Sequence, residues 1–339
     1  VCLAHSHSRS LHLLSLYFVL LLVNRLLHYS SRSVHRTLGV TVTLYRFVIN
    51  HFTHKAVMPA LVPLESIEQL SPRVMRVLGQ NPGAFTLQGT NTYLVGTGSS
   101  KILIDTGEPN IAKYIEVLKE ALKESKISAI ICTHWHHDHT GGVDGVLKSV
   151  IGDKVPIYKL RNPDPSKHRE YFDYVDDGYE VKVDGATIRF VTTPGHTTDH
   201  ASLWLEEENS LFSGDCILGQ GTTVFEDLHS YMQSLERIKG LKPTVIYPGH
   251  GPVVEKTIEK VDEYIQHRVV RENEIIKYFE DVKEGSSMDV VNHIYKESPV
   301  AVKIGALGNV RQHCNKLVKD GRLHQDEYEY YRLVENASL

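Results

Sequence analysis

The run Thr133-His134-Trp135-His136-His137-Asp138-His139-Thr140-Gly141-Gly142 constrains this chain more than any other feature. Imidazole and carboxylate are donors that suit zinc, iron or manganese. Histidines two apart on a helix point to nearly opposite sides, since each residue turns the helix by about 100°. His134 and His136 can therefore share one ion only from a strand end or a loop. The apolar run over residues 127–132 supplies that strand. Asp138 and His139 then turn toward a second ion, and His137 faces solvent or substrate. Gly141-Gly142 lets the chain leave a crowded site.

Four donors do not complete two sites, so the rest are expected at later strand ends. Pro194-Gly195-His196 follows an expected strand at 186–192, Gly214-Asp215 one at 211–213, and Pro248-Gly249-His250 one at 244–247. A carboxylate can bridge two ions, which makes Asp215 the shared ligand. The two sets are His134, His136, His196 and Asp215, and Asp138, His139, His250 and Asp215. Asp105 closes Ile102-Leu103-Ile104 and is read as orienting a ligand imidazole instead of binding metal. His200, four residues past His196, is read as contacting phosphate or protonating a leaving oxygen. Its alternative is a hydrogen bond that braces the Gly195-His196 turn.

The surrounding grammar is α/β. Residues 92–95 and 101–104, divided by Gly96-Thr97-Gly98, read as a hairpin. Ile111, Tyr114, Ile115, Leu118 and Leu122 recur at helical spacing, with Asn110 as cap. Further strands are expected at 155–159, 179–183 and 202–206, and a helix at 228–239. This strand-helix-strand pattern delivers the donors to C-terminal strand edges, where open α/β sheets place their chemistry. After His250 come helices at 257–281, 287–296 and 306–320, the last ended by Gly321, and a hairpin over 322–333. That is the outline of a winged helix. The expected domains are 58–255 and 256–339.

Net charge is −4, and all 41 Asp and Glu lie beyond residue 57. The body is acidic, which excludes a broad basic platform; nucleic-acid contact needs a local patch. Residues 301–322 offer one in Lys303, Arg311, Lys316, Lys319 and Arg322 against Asp320 alone, the alternative being a solvated helix face. Cys2, Cys132, Cys216 and Cys314 form no CxxC pair or disulfide framework, which fits a reducing compartment. Residues 1–57 are basic and acid-free, with an apolar run at 13–23 too short to span a bilayer. They read as a secretory signal, an Arg- and Ser-rich transit peptide, or a segment absent from a cellular protein that starts at Met58. They are set aside as a non-globular extension, and no stable membrane association is expected.

The motif positions Asp105; His134, His136, Asp138 and His139; His196; Asp215; and His250 resemble the metallo-β-lactamase superfamily. The resemblance implies an αββα sandwich, two Zn2+ per chain (Mn2+ or Fe2+ as alternatives) and a hydrolase. Thr86-Leu87-Gln88-Gly89-Thr90-Asn91-Thr92-Tyr93-Leu94-Val95-Gly96, Phe212-Ser213-Gly214-Asp215-Cys216-Ile217-Leu218-Gly219 and Gly221-Thr222-Thr223-Val224-Phe225-Glu226-Asp227 narrow it. They are similar to an endoribonuclease branch of animal mitochondria, a likeness running over about residues 66–335. This implies cleavage of single-stranded RNA in the mitochondrial matrix, the cytoplasm being the alternative, by zinc-activated hydroxide attack on the phosphodiester. Asp138 and His200 are the residues read as catalytic. A glyoxalase II-type thioester hydrolase acting on hydroxyacylglutathione uses the same motif. A mono-iron dioxygenase would leave Asp138, His139 and His250 without a metal, and the Asp138-His139 pair disfavours an antibiotic-hydrolysing lactamase. A homo-oligomer is left open.

Overall fold

The structure, a computed structural model, describes residues 60–334, and the extension at 1–57 lies outside the described residues. Seven strands form the first sheet in chain order: β1 (Ile67–Gln69), β2 (Val74–Leu78), β3 (Asn91–Val95), β4 (Ser100–Ile104), β5 (Lys126–Ile131), β6 (Ile157–Leu160) and β7 (Asp173–Val175). Pairing is antiparallel up to β4 and parallel from β4 to β7. The second sheet is built from β8 (Glu180–Val183), β9 (Ala186–Thr192), β10 (Ala201–Leu205), β11 (Ser210–Gly214) and β12 (Ile246–Pro248), in the order β12-β11-β10-β9-β8.

Alternation along the strands decides what each face buries. Ile102 and Ile104 of β4 meet Ile188, Phe190, Leu203 and Phe212 between the sheets. Leu103, between them, points the other way onto α1 (Ala112–Leu122), against Val117 and Leu118. The second sheet's outer face is covered by α2 (Leu228–Leu241) and α3 (Thr257–Val282), through Tyr231, Leu235, Ile238, Val261, Tyr264 and Ile265. The layers are α, β, β, α, as the motif resemblance implied.

Strand direction gathers the donors. β10 is antiparallel to β9 and β11, and β11 is parallel to β12. β9, β11 and β12 therefore run one way, and His196, Asp215 and His250 follow their C-terminal ends. β4 and β5 are likewise parallel and deliver Asp105 and the loop from Thr133.

The C-terminal part contains α4 (Ser287–Ile294), α5 (Val300–Lys319) and a small sheet, β13-β15-β14, of β13 (Glu284–Ser286), β14 (Leu323–Gln325) and β15 (Tyr330–Leu333). Ser286 and Asp289 close a capping box at the start of α4. Phe279, Val290, Val310, Cys314, Leu317 and Tyr331 form its core. This is a winged helix, with three differences from expectation. α5 begins at Val300, not 306: Gly305 and Gly308 discourage a helix by about 1 kcal/mol each, yet Pro299 occupies the N-cap and the helix runs through both. Asn110 does not cap α1; it stands at φ 61° and the N-cap is Ile111, without a side-chain bond. α3 is shared: Val261, Tyr264 and Ile265 belong to the first domain's core and Ile275, Ile276 and Phe279 to the second's. The division at 255/256 thus falls ahead of a helix common to both cores. Among the described residues, no helix is long and apolar enough to cross a membrane.

Candidate metal centre

The strand ends bring all seven expected donors into two groups. His134, His136, His196 and Asp215 form one, and Asp138, His139 and His250 the other, with the ligand atoms of each group within 4.8 Å of one another. His136 Nδ1 lies 3.0 Å from both His134 Nε2 and His196 Nε2. His139 Nε2 and His250 Nε2 are 3.3 Å apart, and Asp138 Oδ2 stands 3.3 and 3.2 Å from them. Asp215 lies between the groups, with Oδ2 at 3.6 Å from His196 Nε2 and 3.4 Å from His250 Nε2. Its Oδ1 is 3.4 Å from His139 Nε2.

Hydrogen bonds behind the rings fix which nitrogen faces inward. His139 Nδ1 lies 2.7 Å from Asp105 Oδ2, and His196 Nδ1 2.7 Å from the Val224 carbonyl. His250 Nδ1 lies 3.3 Å from the Gly89 carbonyl. The Thr133 hydroxyl donates to Asp105 Oδ2 at 2.9 Å, so toward His134 Nδ1, at 3.0 Å, it accepts. Each of these four imidazoles thus holds a proton on Nδ1 and turns Nε2 to the centre, where its lone pair serves a metal once any second proton has left. Asp105 also accepts the Thr133 amide at 2.8 Å, so one carboxylate orients His139 and, through Thr133, His134.

This donor set fits a cation. Lone-pair nitrogens packed at about 3 Å repel unless a positive charge sits among them, and ligands at about 2.0–2.1 Å around a tetrahedral zinc stand at that spacing. The buried Asp215 Oδ1 accepts no hydrogen bond. A Cβ on Gly249 would fall 2.3 Å from that same oxygen, so glycine keeps it clear. Burial, reinforced by His139 and His136, holds His134 well below the usual imidazole range. Burial with His196 beside it pushes His136 down to about 3. Burial opposes charge on His250, but Asp215 and Asp138 outweigh it and push His250 up to about 10. Despite burial, His139 and His250 hold Asp138 and Asp215 well below the usual carboxylate range. One group is therefore neutral imidazole waiting on a carboxylate. The other gathers negative charge that protons satisfy until a metal displaces them.

His137 is exposed, as expected. Trp135 packs against His136 with ring centroids 4.7 Å apart, and Lys167 Nζ stands 3.3 Å from the Trp135 ring. Sequence reasoning missed Lys167 and the carbonyls of Gly89 and Val224; every residue carries a carbonyl, so those two had no signal. Thr133, adjoining His134, had one in its hydroxyl.

One expected role is corrected. His200 is fully buried: its Nε2 accepts the Asp215 amide at 3.1 Å, and its Nδ1 lies 2.8 Å from Thr193 Oγ1. Both nitrogens are occupied, so His200 does not reach a phosphate or a leaving oxygen; it supports Asp215. His200→Ala should lower unfolding stability by about 2–4 kcal/mol in denaturant titration and leave the shape of the pH–rate profile unchanged. A profile that lost one limb would restore the proton-transfer role. Much of the basic stretch on α5 is ion-paired. Arg311 pairs with Glu329 at 3.0 Å, Lys316 with Glu272 at 2.7 Å and Asp320 at 2.6 Å, and Lys319 with Asp227. Glu272 and Asp227 lie far away in sequence, which a local charge count overlooks. Lys303 is half-buried near the start of α5.

Comparison with known proteins agrees with this geometry. A family model described as the metallo-beta-lactamase superfamily matches residues 85–250, and one described as the beta-lactamase associated winged helix domain matches 286–329. A Caenorhabditis elegans protein named beta-lactamase-like protein 2 homolog is 56% identical over 284 residues, which are 83% of this chain and 96% of that protein. The chain belongs to the metallo-β-lactamase superfamily. Another superfamily relative, an atrochrysone carboxyl ACP thioesterase of Aspergillus fumigatus, is 43% identical over 65% of this chain and 69% of its own length. The metallo-β-lactamase fold also recurs in a beta-lactamase domain protein from Burkholderia ambifaria, with a TM-score of 0.69 at 19% identity, covering 83% of this chain and 96% of that one.

Proposed function

We propose that this metallo-β-lactamase superfamily hydrolase is an endoribonuclease that cleaves single-stranded RNA with zinc in both donor groups, in the mitochondrial matrix. The observation that carries the reading is Asp215, whose carboxylate stands between two complete donor groups. Bound there, a pair of divalent cations lowers the pKa of water toward neutrality and offsets charge on phosphoryl oxygens. The chain's own residues hold the geometry. Asp105, Thr133, Val224 and Gly89 aim the imidazoles. Beside His136, Lys167 seated on the Trp135 ring supplies a cation for the phosphate backbone.

The test is cleavage of a labelled single-stranded RNA by the wild-type chain and by the Asp138→Ala, His139→Ala double variant. Cleavage should vanish with the variant and with chelator, leaving 3′-hydroxyl and 5′-phosphate ends. A wild-type protein that holds two metals and leaves the RNA intact would remove the substrate claim and keep the site. A second reading, thioester hydrolysis, is favoured by the fungal relative named as an ACP thioesterase. It takes in the glyoxalase II-type alternative, and acyl-carrier and S-lactoylglutathione thioesters would then be assayed.

A further inference from the structure

We propose that Arg268, on the helix shared by the two domains, is a positioning residue for the metal ligand His196, so that the C-terminal domain sets the metal affinity of one donor group. Arg268 is 2% exposed. Burying a cation is unfavourable unless its surroundings replace water, and here they are specific. The guanidinium lies 5.3 Å from the Phe225 ring centroid, 5.8 Å from Tyr231 and 5.6 Å from Tyr264. Ring faces attract a cation, most strongly where it is desolvated. Its Nη2 donates to the Thr223 carbonyl at 3.3 Å, and its Nε has no hydrogen-bond partner.

What the guanidinium grips is the segment that fixes His196. The Thr223 hydroxyl lies 3.1 Å from His196 Nδ1, and the next carbonyl, that of Val224, lies 2.7 Å from the same nitrogen. Phe225 continues the segment and stacks on Tyr231, centroids 5.5 Å apart. Tyr231 in turn closes on the ligand's own turn, since a Cβ at Gly195 would fall 2.4 Å from its Cα. From the winged helix, His313 of α5 lies edge-on to Phe225 at 6.4 Å, Lys319 pairs with Asp227, and Asp320 with His229 at 2.9 Å. Contacts therefore run unbroken from α3 and α5 to one imidazole. The carboxylate and carbonyl behind His139 and His250 come from Asp105 and Gly89, neither of which belongs to this segment.

The asymmetry supplies the test, which rests on the donor groups and not on the RNA reading. In full-length protein, His250→Ala cripples one group and His196→Ala the other. Zinc affinity is measured by competition in each background, with and without Arg268→Lys. Lysine keeps the charge but lacks the fork that reaches Thr223. The expected result is zinc binding weakened by about 10- to 100-fold in the His250→Ala background, the usual effect of removing a group behind a ligand, and no change in the His196→Ala background. Phe225→Leu, which trims the ring cage and leaves the cation, should give the same one-sided loss and serves if Arg268→Lys does not fold. Equal loss in both backgrounds, or loss in neither, would overturn the proposal.

Discussion

Asp105→Asn should yield a folded protein holding about one zinc per chain and catalysing about 10²–10⁴-fold more slowly than wild type. Shape is conserved, and the left-handed backbone at φ 59° suits asparagine as well as aspartate. One amide oxygen can still accept the Thr133 amide. The other position becomes an NH2 facing the Thr133 hydroxyl and His139 Nδ1, which stand 2.9 and 2.7 Å from the native oxygen. A donor there cannot receive the Nδ1 proton. His139 then moves its proton to Nε2, the atom that faces the metal, and that group loses a ligand. The Thr133 hydroxyl must also turn, which weakens its hold on His134. Zinc stoichiometry by mass spectrometry and activity on the same sample check this. Two tightly held zincs with near-native rate would mean that Asp105 only caps a turn.

Asp105 also marks how far the sequence could be read. The seven donors were legible because each sits after an apolar strand-like run in a glycine-flanked turn, and because no single helix could place His134 and His136 on one ion. The layer order was implied by the resemblance that those donors carry. Residues that meet across large separations were not legible. Arg268 on Thr223, Lys319 on Asp227 and the carbonyl of Gly89 on His250 are close only once the sheets have stacked. On the basic stretch of α5, partners for Lys316 and Lys319 arrive from α3 and the loop before α2, which a charge count along the sequence does not see. His200 is a different case. Its spacing from His196 suggests reach into the site, but β10 begins at Ala201 and draws the ring under Asp215. Short strands such as β1 and β7 have mostly exposed or half-exposed residues and so carry no apolar run to find.

Asp215→Asn should have the broader metal effect, because its carboxylate touches ligands of both groups. Oδ1 is 3.4 Å from His139 Nε2, and Oδ2 is 3.4 Å from His250 Nε2 and 3.6 Å from His196 Nε2. The neutral amide has one poor donor oxygen and one NH2, so both groups lose the charge and, whichever way it turns, at least one ligand nitrogen meets a hydrogen-bond donor. Both groups should bind zinc weakly, with less than one equivalent retained after dialysis and activity at least about 10³-fold down. Asp138→Asn is the comparison, since Asp138 contacts only His139 and His250 and should cost a single equivalent. Thermal unfolding adds a reading that does not depend on any substrate. Metal that binds only the folded state stabilises it by about 1.4 kcal/mol per tenfold excess over its dissociation constant. Wild type should therefore melt higher with added zinc, Asp138→Asn less so, and Asp215→Asn hardly at all. If Asp215→Asn kept one zinc and its thermal shift, the carboxylate would serve one group alone and the two groups would act as separate sites.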